Sequence, residues 1–422
     1  MHEPPLIRPM ELEPMALPRE EVMPNGVPLY CIDGGDEEVV RFELLFKGGY
    51  GVQQKPLQAT FTNRMLREGA GDMNAEEISR RLDYYGAWIE TYSSQECNHV
   101  VLYTMSRHFV PLLELLEEIM KAPQFNQENL DTVRRNAKAY HAVNSRKVDV
   151  VSQRYFEKAL WGDGHPLGHV VEESDYDSIT VEDLRGYYDM VYGSRNCIAV
   201  LSGNVCEESI AAVRERFGSS CWGNGGGQVE TLASPKSSAG RHTVRMDGTL
   251  QVAVKIGFMA MDATDSDLYA FRFLTVLLGG YFGSRLMSNV REENGYTYHI
   301  SAEIDAYGNR NAFMISSETA NEYVEACIKE IYKEIDRVVN EPIPEEEVEL
   351  VRSYIMGEMC RECEGLSARS EIFVNALLSG AGFHSVNGYL DIVRSITPER
   401  LGQVARKYLR RENMIEIVAG AV

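Results

Sequence analysis

The chain has 422 residues, of which 44% are hydrophobic, 25% charged and 9% aromatic. These fractions are typical of globular proteins and exclude the disordered, collagen-like and coiled-coil classes, and the length favours two domains over one. Acidic residues outnumber basic ones by 63 to 42, which gives a formal net charge of −21. Such a charge repels phosphate backbones and anionic lipid, so the composition argues against nucleic acid and membranes as partners.

The N-terminal region, residues 1–24, is rich in proline. Proline fixes φ and disfavours helix in the residue before it, so this region is predicted to be an extended arm. It lacks the basic head and apolar run of an export signal, and no stretch of the chain approaches the roughly 18 apolar residues of a spanning helix. The eight cysteines are too sparse for a disulfide framework. Together these features predict a cytoplasmic protein.

Several segments alternate apolar and polar residues and are rich in β-branched and aromatic side chains, a pattern that predicts strands. They are RFELLFK at 41–47, WIETYSS at 88–94, HVVLYTMS at 99–106 and CIAVLSG at 197–203. The clearest helical pattern lies at 110–120, where leucine, isoleucine and methionine form one broad apolar face. Strands and long helices without a strict alternation predict an α+β fold, with an antiparallel or mixed sheet backed by helices.

The second half of the chain repeats the first. Residues 178–203 align with residues 395–420 at a constant offset of 395 − 178 = 217, and in both copies a threonine, Thr180 or Thr397, caps a helix that is followed by an apolar strand. This period is too long for a solenoid and indicates a duplicated domain. The predicted parts are an arm at 1–24, an N-terminal unit at 25–221, a flexible Gly/Ser-rich linker at 222–240 and a C-terminal unit at 241–422.

The C-terminal unit contains DLYAFRFLTVLLGGYFGSRLMSNVREENGYTYHISAE at 267–303. In order, these residues give a helix, a Gly pair, an S-R-L segment and R-E-x-x-G-x-x-Y entering a strand. This arrangement resembles the pitrilysin/insulinase family of zinc peptidases, which includes the mitochondrial processing peptidases. The likeness covers nearly the whole chain, from Asn25 to Gly420. It implies two tandem homologous α/β units that form a half-shell of a peptidase chamber.

Family members that cut peptides carry H-x-x-E-H on the first helix after strand one. Residues i and i+4 share a helix face, so two imidazoles can reach one Zn²⁺ while the Glu acts on the bound water. The resemblance places these five positions at 60–64, which here are Thr60, Phe61, Thr62, Asn63 and Arg64. Neither histidine is present, and an amide such as that of Asn63 cannot act as a general base. The sequence therefore predicts no metal, no cofactor and no catalytic residue of its own.

Two further positions of the degenerate motif have open interpretations. The third ligand in the family is a glutamate some 75 residues downstream, and the nearest residues here are Tyr140 and His141. Arg64 would put a permanent cation where the metal should lie. We expect Arg64 to be a buried or half-buried cation paired with a nearby carboxylate, and the alternative is a role in binding an anion.

By contrast, Arg291 and Tyr298 stand at the R-x6-Y spacing that the resemblance assigns to substrate and transition-state contacts. A guanidinium can hold substrate carbonyls or a carboxylate, and a phenol can donate to the oxyanion that forms on the scissile carbonyl. The same pattern is also simply a helix end, a glycine C-cap and an aromatic strand residue, so retention for structure alone is the alternative.

The resemblance supports two main hypotheses of function. In the first, the chain is a non-catalytic subunit that supplies Arg291, Tyr298 and half the peptide chamber to a partner chain bearing H-x-x-E-H, acting on a peptide or unfolded polypeptide. In the second, it is an inactive scaffold or peptide-binding protein, similar to the core subunits of respiratory complexes. Hydrolysis through an unrecognised metal arrangement is a third alternative. The expected partner is a homologous H-x-x-E-H chain or a second copy of this chain in a homodimer, and the isolated chain is predicted to be inactive.

Overall fold

The computed structural model describes residues 12–34, 37–226, 234–363, 365–382 and 384–421. They form two compact units, an N-terminal unit of Leu17–Ser238 and a C-terminal unit in which residues 12–16 join the chain from Ala239 onward. Each unit has its own hydrophobic core and its own sheet backed by helices, which confirms the predicted α+β class. Within the described part of the chain, no helix is long and apolar enough to cross a membrane.

The N-terminal unit is built on a six-stranded sheet of order β1-β2-β8-β3-β7-β6, in which β2 and β8 are parallel and the other neighbours antiparallel. In chain order its elements are β1 (Arg19–Val22), β2 (Pro28–Asp33), β3 (Val39–Lys47), α1 (Gln58–Met65), β4 (Gly69–Ala70), β5 (Met73–Asn74), α2 (Ala75–Tyr85), β6 (Trp88–Ser93), β7 (Cys97–Met105), α3 (Phe109–Lys121), α4 (Gln127–Asn144), α5 (Val148–Trp161), α6 (Glu173–Ser178), α7 (Val181–Val191), β8 (Cys197–Gly203) and α8 (Glu207–Val213).

The C-terminal unit is built on a five-stranded sheet of order β11-β12-β10-β13-β9, in which β13 and β9 are parallel and the other neighbours antiparallel. In chain order its elements are β9 (Gly240–Arg245), β10 (Gln251–Asp262), α9 (Leu268–Thr275), β11 (Thr297–Tyr307), β12 (Arg310–Ala320), α10 (Val324–Asn340), α11 (Glu345–Cys363), α12 (Leu366–Leu378), α13 (His384–Ser395), α14 (Pro398–Tyr408) and β13 (Ile415–Gly420).

The two sheets share one topology. The order β2-β8-β3-β7-β6 in the N-terminal unit corresponds strand for strand to β9-β13-β10-β12-β11 in the C-terminal unit, and the one parallel pair falls at the same place in both. The aligned segments 178–203 and 395–420 supply α7 with β8 and α14 with β13. The prediction of two tandem homologous units is therefore confirmed.

The repeated helix is capped in the same way in both copies, but its third residue has the opposite charge. The Thr180 hydroxyl accepts from the backbone N–H of Asp183 at 3.2 Å, and the Thr397 hydroxyl accepts from that of Arg400 at 3.3 Å. Asp183 pairs with Lys55, three residues before α1, at 2.8 Å, whereas Arg400 pairs with Asp267, directly before α9. Each unit thus keeps the same connection between two helices with the signs of the ion pair exchanged.

The predicted arm and linker both contain packed residues. In the arm, β1 pairs with β2, and the backbone N–H of Met15 donates to Asn387 Oδ1 at 3.0 Å; residues 1–11 lie outside the described residues. At the start of the linker, Trp222 is buried, and a Cβ on Gly225 would lie 2.4 Å from the carbonyl carbon of Val191. The glycines there permit close packing against the N-terminal unit. Residues 227–233 of the linker lie outside the described residues.

Candidate functional site

Helix α1 carries the five positions of the degenerate motif and divides them between two faces. Thr60 and Arg64, one turn apart, are exposed, whereas Phe61, Thr62 and Asn63 are buried. The Thr62 hydroxyl donates back to the carbonyl oxygen of Gln58 at 2.8 Å. The two positions that would hold zinc ligands therefore face outward together, but they offer a hydroxyl and a guanidinium, which are poor ligands for Zn²⁺.

Asn63 has a structural role. Its side chain is 1% exposed, and its Nδ2 donates to the carbonyl oxygens of Tyr92 at 2.7 Å and His99 at 3.2 Å. These bonds tie α1 to β6 and β7. A glutamate at this position would place a carboxylate against two carbonyl oxygens, because an ionised carboxylate can only accept. The amide is thus matched to its surroundings as a donor.

The prediction for Arg64 was wrong. Its side chain is exposed and, among the described residues, it makes neither an ion pair nor a hydrogen bond. The reason is the helical periodicity of α1: position 64 lies one turn after the exposed Thr60 and so shares its outward face. Anion binding, the alternative interpretation, remains open for this residue.

The two candidates for a third ligand lie on α4 and differ in environment. Tyr140 is 74% exposed, whereas the His141 ring packs 5.2 Å from the Tyr176 ring, which in turn lies 6.1 Å from Phe61. Burial, and then the nearby charge of Arg154, lower the pKa of His141. No group of three His, Cys, Asp or Glu suited to a metal ion occurs in the described part of the chain. The residues at the motif do not fit a zinc ion.

We therefore expect the purified chain to contain well below one zinc per molecule. Elemental analysis of protein prepared without chelators measures this directly, and a His141→Ala variant is the matched control, because His141 is the imidazole nearest the position expected for the third ligand. A content near one zinc per chain that is lost in that variant would contradict the prediction and favour an unrecognised metal arrangement.

Arg291 lies near the end of a π-helical segment, Met287–Glu293, which stops because Gly295 adopts a left-handed φ of 66°. The backbone N–H of Gly295 closes the last turn on the carbonyl oxygen of Arg291 at 3.1 Å. The Arg291 side chain is partly exposed and makes no ion pair with any described residue. Gly295 therefore fixes where the helical segment ends and where the chain enters β11.

Tyr298 lies in a β-bulge at the start of β11, the outermost strand of its sheet. The pairing passes from Thr297↔Thr319 to Ile300↔Ser317, so two residues of β11 face one of β12. The Thr297 hydroxyl stabilises the bulge by donating to the carbonyl oxygen of Glu318 at 2.6 Å. As a result the Tyr298 side chain is 89% exposed, and no described residue hydrogen-bonds its hydroxyl.

Comparison with known proteins agrees with the resemblance seen in the sequence. The family model described as the peptidase M16 inactive domain matches residues 178–355. An uncharacterized zinc protease of Rickettsia felis is 23% identical over 359 residues, which cover 82% of this chain and 84% of that protein. A non-peptidase homologue of Helicobacter pylori is 21% identical over 388 residues, covering 88% of this chain and 86% of that protein.

Two solved structures have the same fold. A peptidase M16 inactive domain from Pseudomonas fluorescens has a TM-score of 0.85 at 20% identity and covers 96% of this chain and 98% of its own. A chain of complex III from Candida albicans has a TM-score of 0.77 at 12% identity, with 96% of each chain covered. These likenesses support the resemblance to the pitrilysin/insulinase (M16) peptidase family. The degenerate zinc motif agrees with the description of that family model as an inactive domain.

Sequence reasoning missed one residue that lies beside Arg291 of the R-x6-Y pair. Phe282 is 62% exposed, and the guanidinium carbon of Arg291 lies 4.6 Å from the centre of its ring. This cation–π contact orients the arginine without neutralising it. An aromatic residue between two glycines, Gly280 and Gly283, was the signal available in the sequence. The C-terminal unit thus presents a partly exposed arginine beside an exposed phenylalanine, together with an exposed tyrosine.

Proposed function

We propose that this chain is the non-catalytic subunit of a two-chain zinc peptidase. It supplies Arg291 and Tyr298, and a homologous partner chain supplies H-x-x-E-H and the metal. The observation that carries the proposal is the exposure of Tyr298. Its side chain is 89% exposed because it lies in a β-bulge of β11. At this position the phenol can reach a bound substrate, which a buried tyrosine could not do.

The chemistry of the two side chains suits a peptide substrate. The Arg291 guanidinium is oriented by Phe282 and is free to hold carbonyl or carboxylate oxygens of a peptide. The Tyr298 phenol can donate to an oxyanion as it forms on a scissile carbonyl. Neither group can activate water, so the partner provides the general base. The proposal includes an unfolded polypeptide or peptide as the substrate and assembly in the cytoplasm with a homologous chain.

The test is a mixing experiment. This chain and an H-x-x-E-H homologue from the same source are purified separately, and cleavage of an unfolded polypeptide is measured for each chain alone and for the mixture. We expect the mixture to be faster than either chain by on the order of 10²-fold, the lower end of what an oxyanion donor contributes. A partner whose motif glutamate is changed to glutamine is the control and should abolish the gain. A mixture no faster than the partner alone would contradict the proposal.

The alternative is an inactive scaffold or peptide-binding protein of the same fold. It is favoured by Asn63, whose amide holds α1 to two strands, and by the likeness to a chain of complex III. The two functions differ in one measurement, since a scaffold binds its partner or peptide without changing any cleavage rate.

A further inference from the structure

A groove separates helices α2 and α3 on the N-terminal unit, away from the residues discussed so far. It has a volume of about 390 Å³. Helix α2 contributes two arginines and two tyrosines and α3 contributes apolar residues and one glutamate: Arg80, Arg81, Tyr84, Tyr85, Pro111, Leu112, Glu114 and Leu115. A volume of this size accommodates a few side chains of a bound segment.

The base and the wall of the groove are apolar and aromatic. Pro111 is exposed at the base, and Leu112 and Leu115 beneath it are 1% and 3% exposed and belong to the core of the N-terminal unit, so the base is fixed. Tyr84 is 81% exposed, and its ring meets that of Tyr85 edge to face at 5.0 Å. Tyrosine and arginine around an apolar base is the composition that dominates binding hot spots between proteins.

Two arginines and one glutamate line the groove, so the lining has a small positive charge, whereas the whole protein is acidic. The Glu114 carboxylate is engaged by Arg216, and Arg80 lies 4.0 Å from Glu77 in an exposed pair that contributes little. Arg81 is exposed and has no ion pair or hydrogen bond with any residue that the structure describes. A chain of net charge −21 therefore presents a local surplus of guanidinium groups beside an apolar cleft.

We infer that this groove docks an acidic segment of a partner protein. One apolar side chain of the segment packs on the exposed Pro111 beside the tyrosine rings, and flanking carboxylates pair with Arg81 and Arg80. Charge complementarity selects this occupant, because two arginines line the groove against one glutamate that Arg216 already engages, and a basic segment would meet like charge. The inference is independent of the proposed role of Arg291 and Tyr298.

The test uses the full-length protein and a fluorescein-labelled peptide in which a single leucine is flanked by two glutamates on each side. Binding is measured by fluorescence anisotropy at low and at physiological salt. We expect saturable binding that weakens with salt, is weakened about tenfold or more by Arg81→Glu, and is lost when the leucine of the peptide is replaced by alanine. Tyr84→Ala should also weaken it.

The matched control is Arg135→Glu, the same charge change at an exposed arginine on α4, which should leave binding unchanged. A peptide with lysines in place of the glutamates should not bind. Equal binding of both peptides, or affinity unchanged by Arg81→Glu and Tyr84→Ala, would overturn the inference. A second copy of this chain as the occupant would also overturn it, and it would appear in sedimentation as a dimer that Arg81→Glu dissociates.

Discussion

Replacing Tyr298 by phenylalanine in a reconstituted two-chain peptidase is expected to lower kcat by on the order of 10²- to 10³-fold, the usual cost of losing one oxyanion donor. The fold should not change, because the side chain is 89% exposed and its hydroxyl bonds no described residue. KM should change little, since the hydroxyl acts on charge that develops only in the transition state. Steady-state kinetics on the mixture, with far-UV circular dichroism of the variant alone, measures both parts.

The matched control is Tyr354→Phe in the same unit. Tyr354 is 37% exposed and its ring lies 5.1 Å from that of Tyr281, a contact that phenylalanine keeps, so the rate should not change. Equal rates for the Tyr298→Phe and wild-type mixtures would count against the subunit role and would favour the scaffold function.

Arg291 should affect the Michaelis constant instead. Arg291→Ala removes a charge-assisted contact worth roughly 1.5 to 3 kcal/mol, so KM should rise about tenfold or more. Arg406→Ala, at an exposed arginine of α14, is its control.

The duplication could be predicted from the sequence because local signals and chain order suffice for it. A capping threonine, the helix after it and the apolar strand that follows are encoded within some 25 residues, and they recur at a fixed offset. The structure places both copies at the same position in sheets of the same strand order. Both α7 and α14 could therefore be predicted without information on contacts that are distant in sequence.

The errors came where a residue's role depends on its neighbours in space. Gly223, Gly225 and Gly226 predict a flexible linker, but the sequence does not show that Gly225 also packs where the backbone of α7 lies too close for a Cβ. Arg64 was expected to find a carboxylate, but the outward face of α1 is set by which other residues of the helix are buried. Composition and spacing do not carry that information.

The same limit applies to the candidate site. The R-x6-Y spacing identified Arg291 and Tyr298, but the bulge that exposes Tyr298 depends on its pairing with β12. The contact of Arg291 with Phe282 depends on how the chain turns after α9. A sequence motif gives the residue types of a site, and the register of the sheet decides which of them reach solvent.

A buried network of charged residues in the N-terminal sheet also could not be predicted from the sequence. The alternation at 41–47 puts Arg41 and Glu43 on one face of β3, but it does not say that they are only 3% and 0% exposed. Glu43 accepts from Arg41 at 2.7 Å and from His99 Nδ1 at 2.8 Å, and the His99 ring stacks on Tyr92 at 4.2 Å. The carboxylate is thus satisfied on both oxygens.

This network makes stability depend on pH. Burial alone would raise the pKa of the Glu43 carboxyl, but the hydrogen bond from His99 and the charge of Arg41 more than offset burial, so its pKa lies below the ordinary value. A carboxyl with a lowered pKa in the folded state stabilises the fold above its unfolded pKa of about 4.3. That contribution is lost as pH falls below about 4.3 and through the folded pKa.

Glu43→Gln should therefore lower the free energy of unfolding at pH 7 by about 3 to 5 kcal/mol, the usual cost of removing one partner from a buried ion pair, because Arg41 is left as an uncompensated buried charge. Urea denaturation followed by circular dichroism measures the change.

The control is the triple variant Arg41→Leu, Glu43→Leu, His99→Phe, which removes every charge of the network and should recover most of the lost stability. The triple variant should also lose less stability than the wild type between pH 7 and pH 3, since Glu43 no longer contributes. Two results would contradict this account of how the network stabilises the fold. One is a Glu43→Gln protein with the same free energy of unfolding as the wild type, and the other is a triple variant with a lower free energy of unfolding than Glu43→Gln.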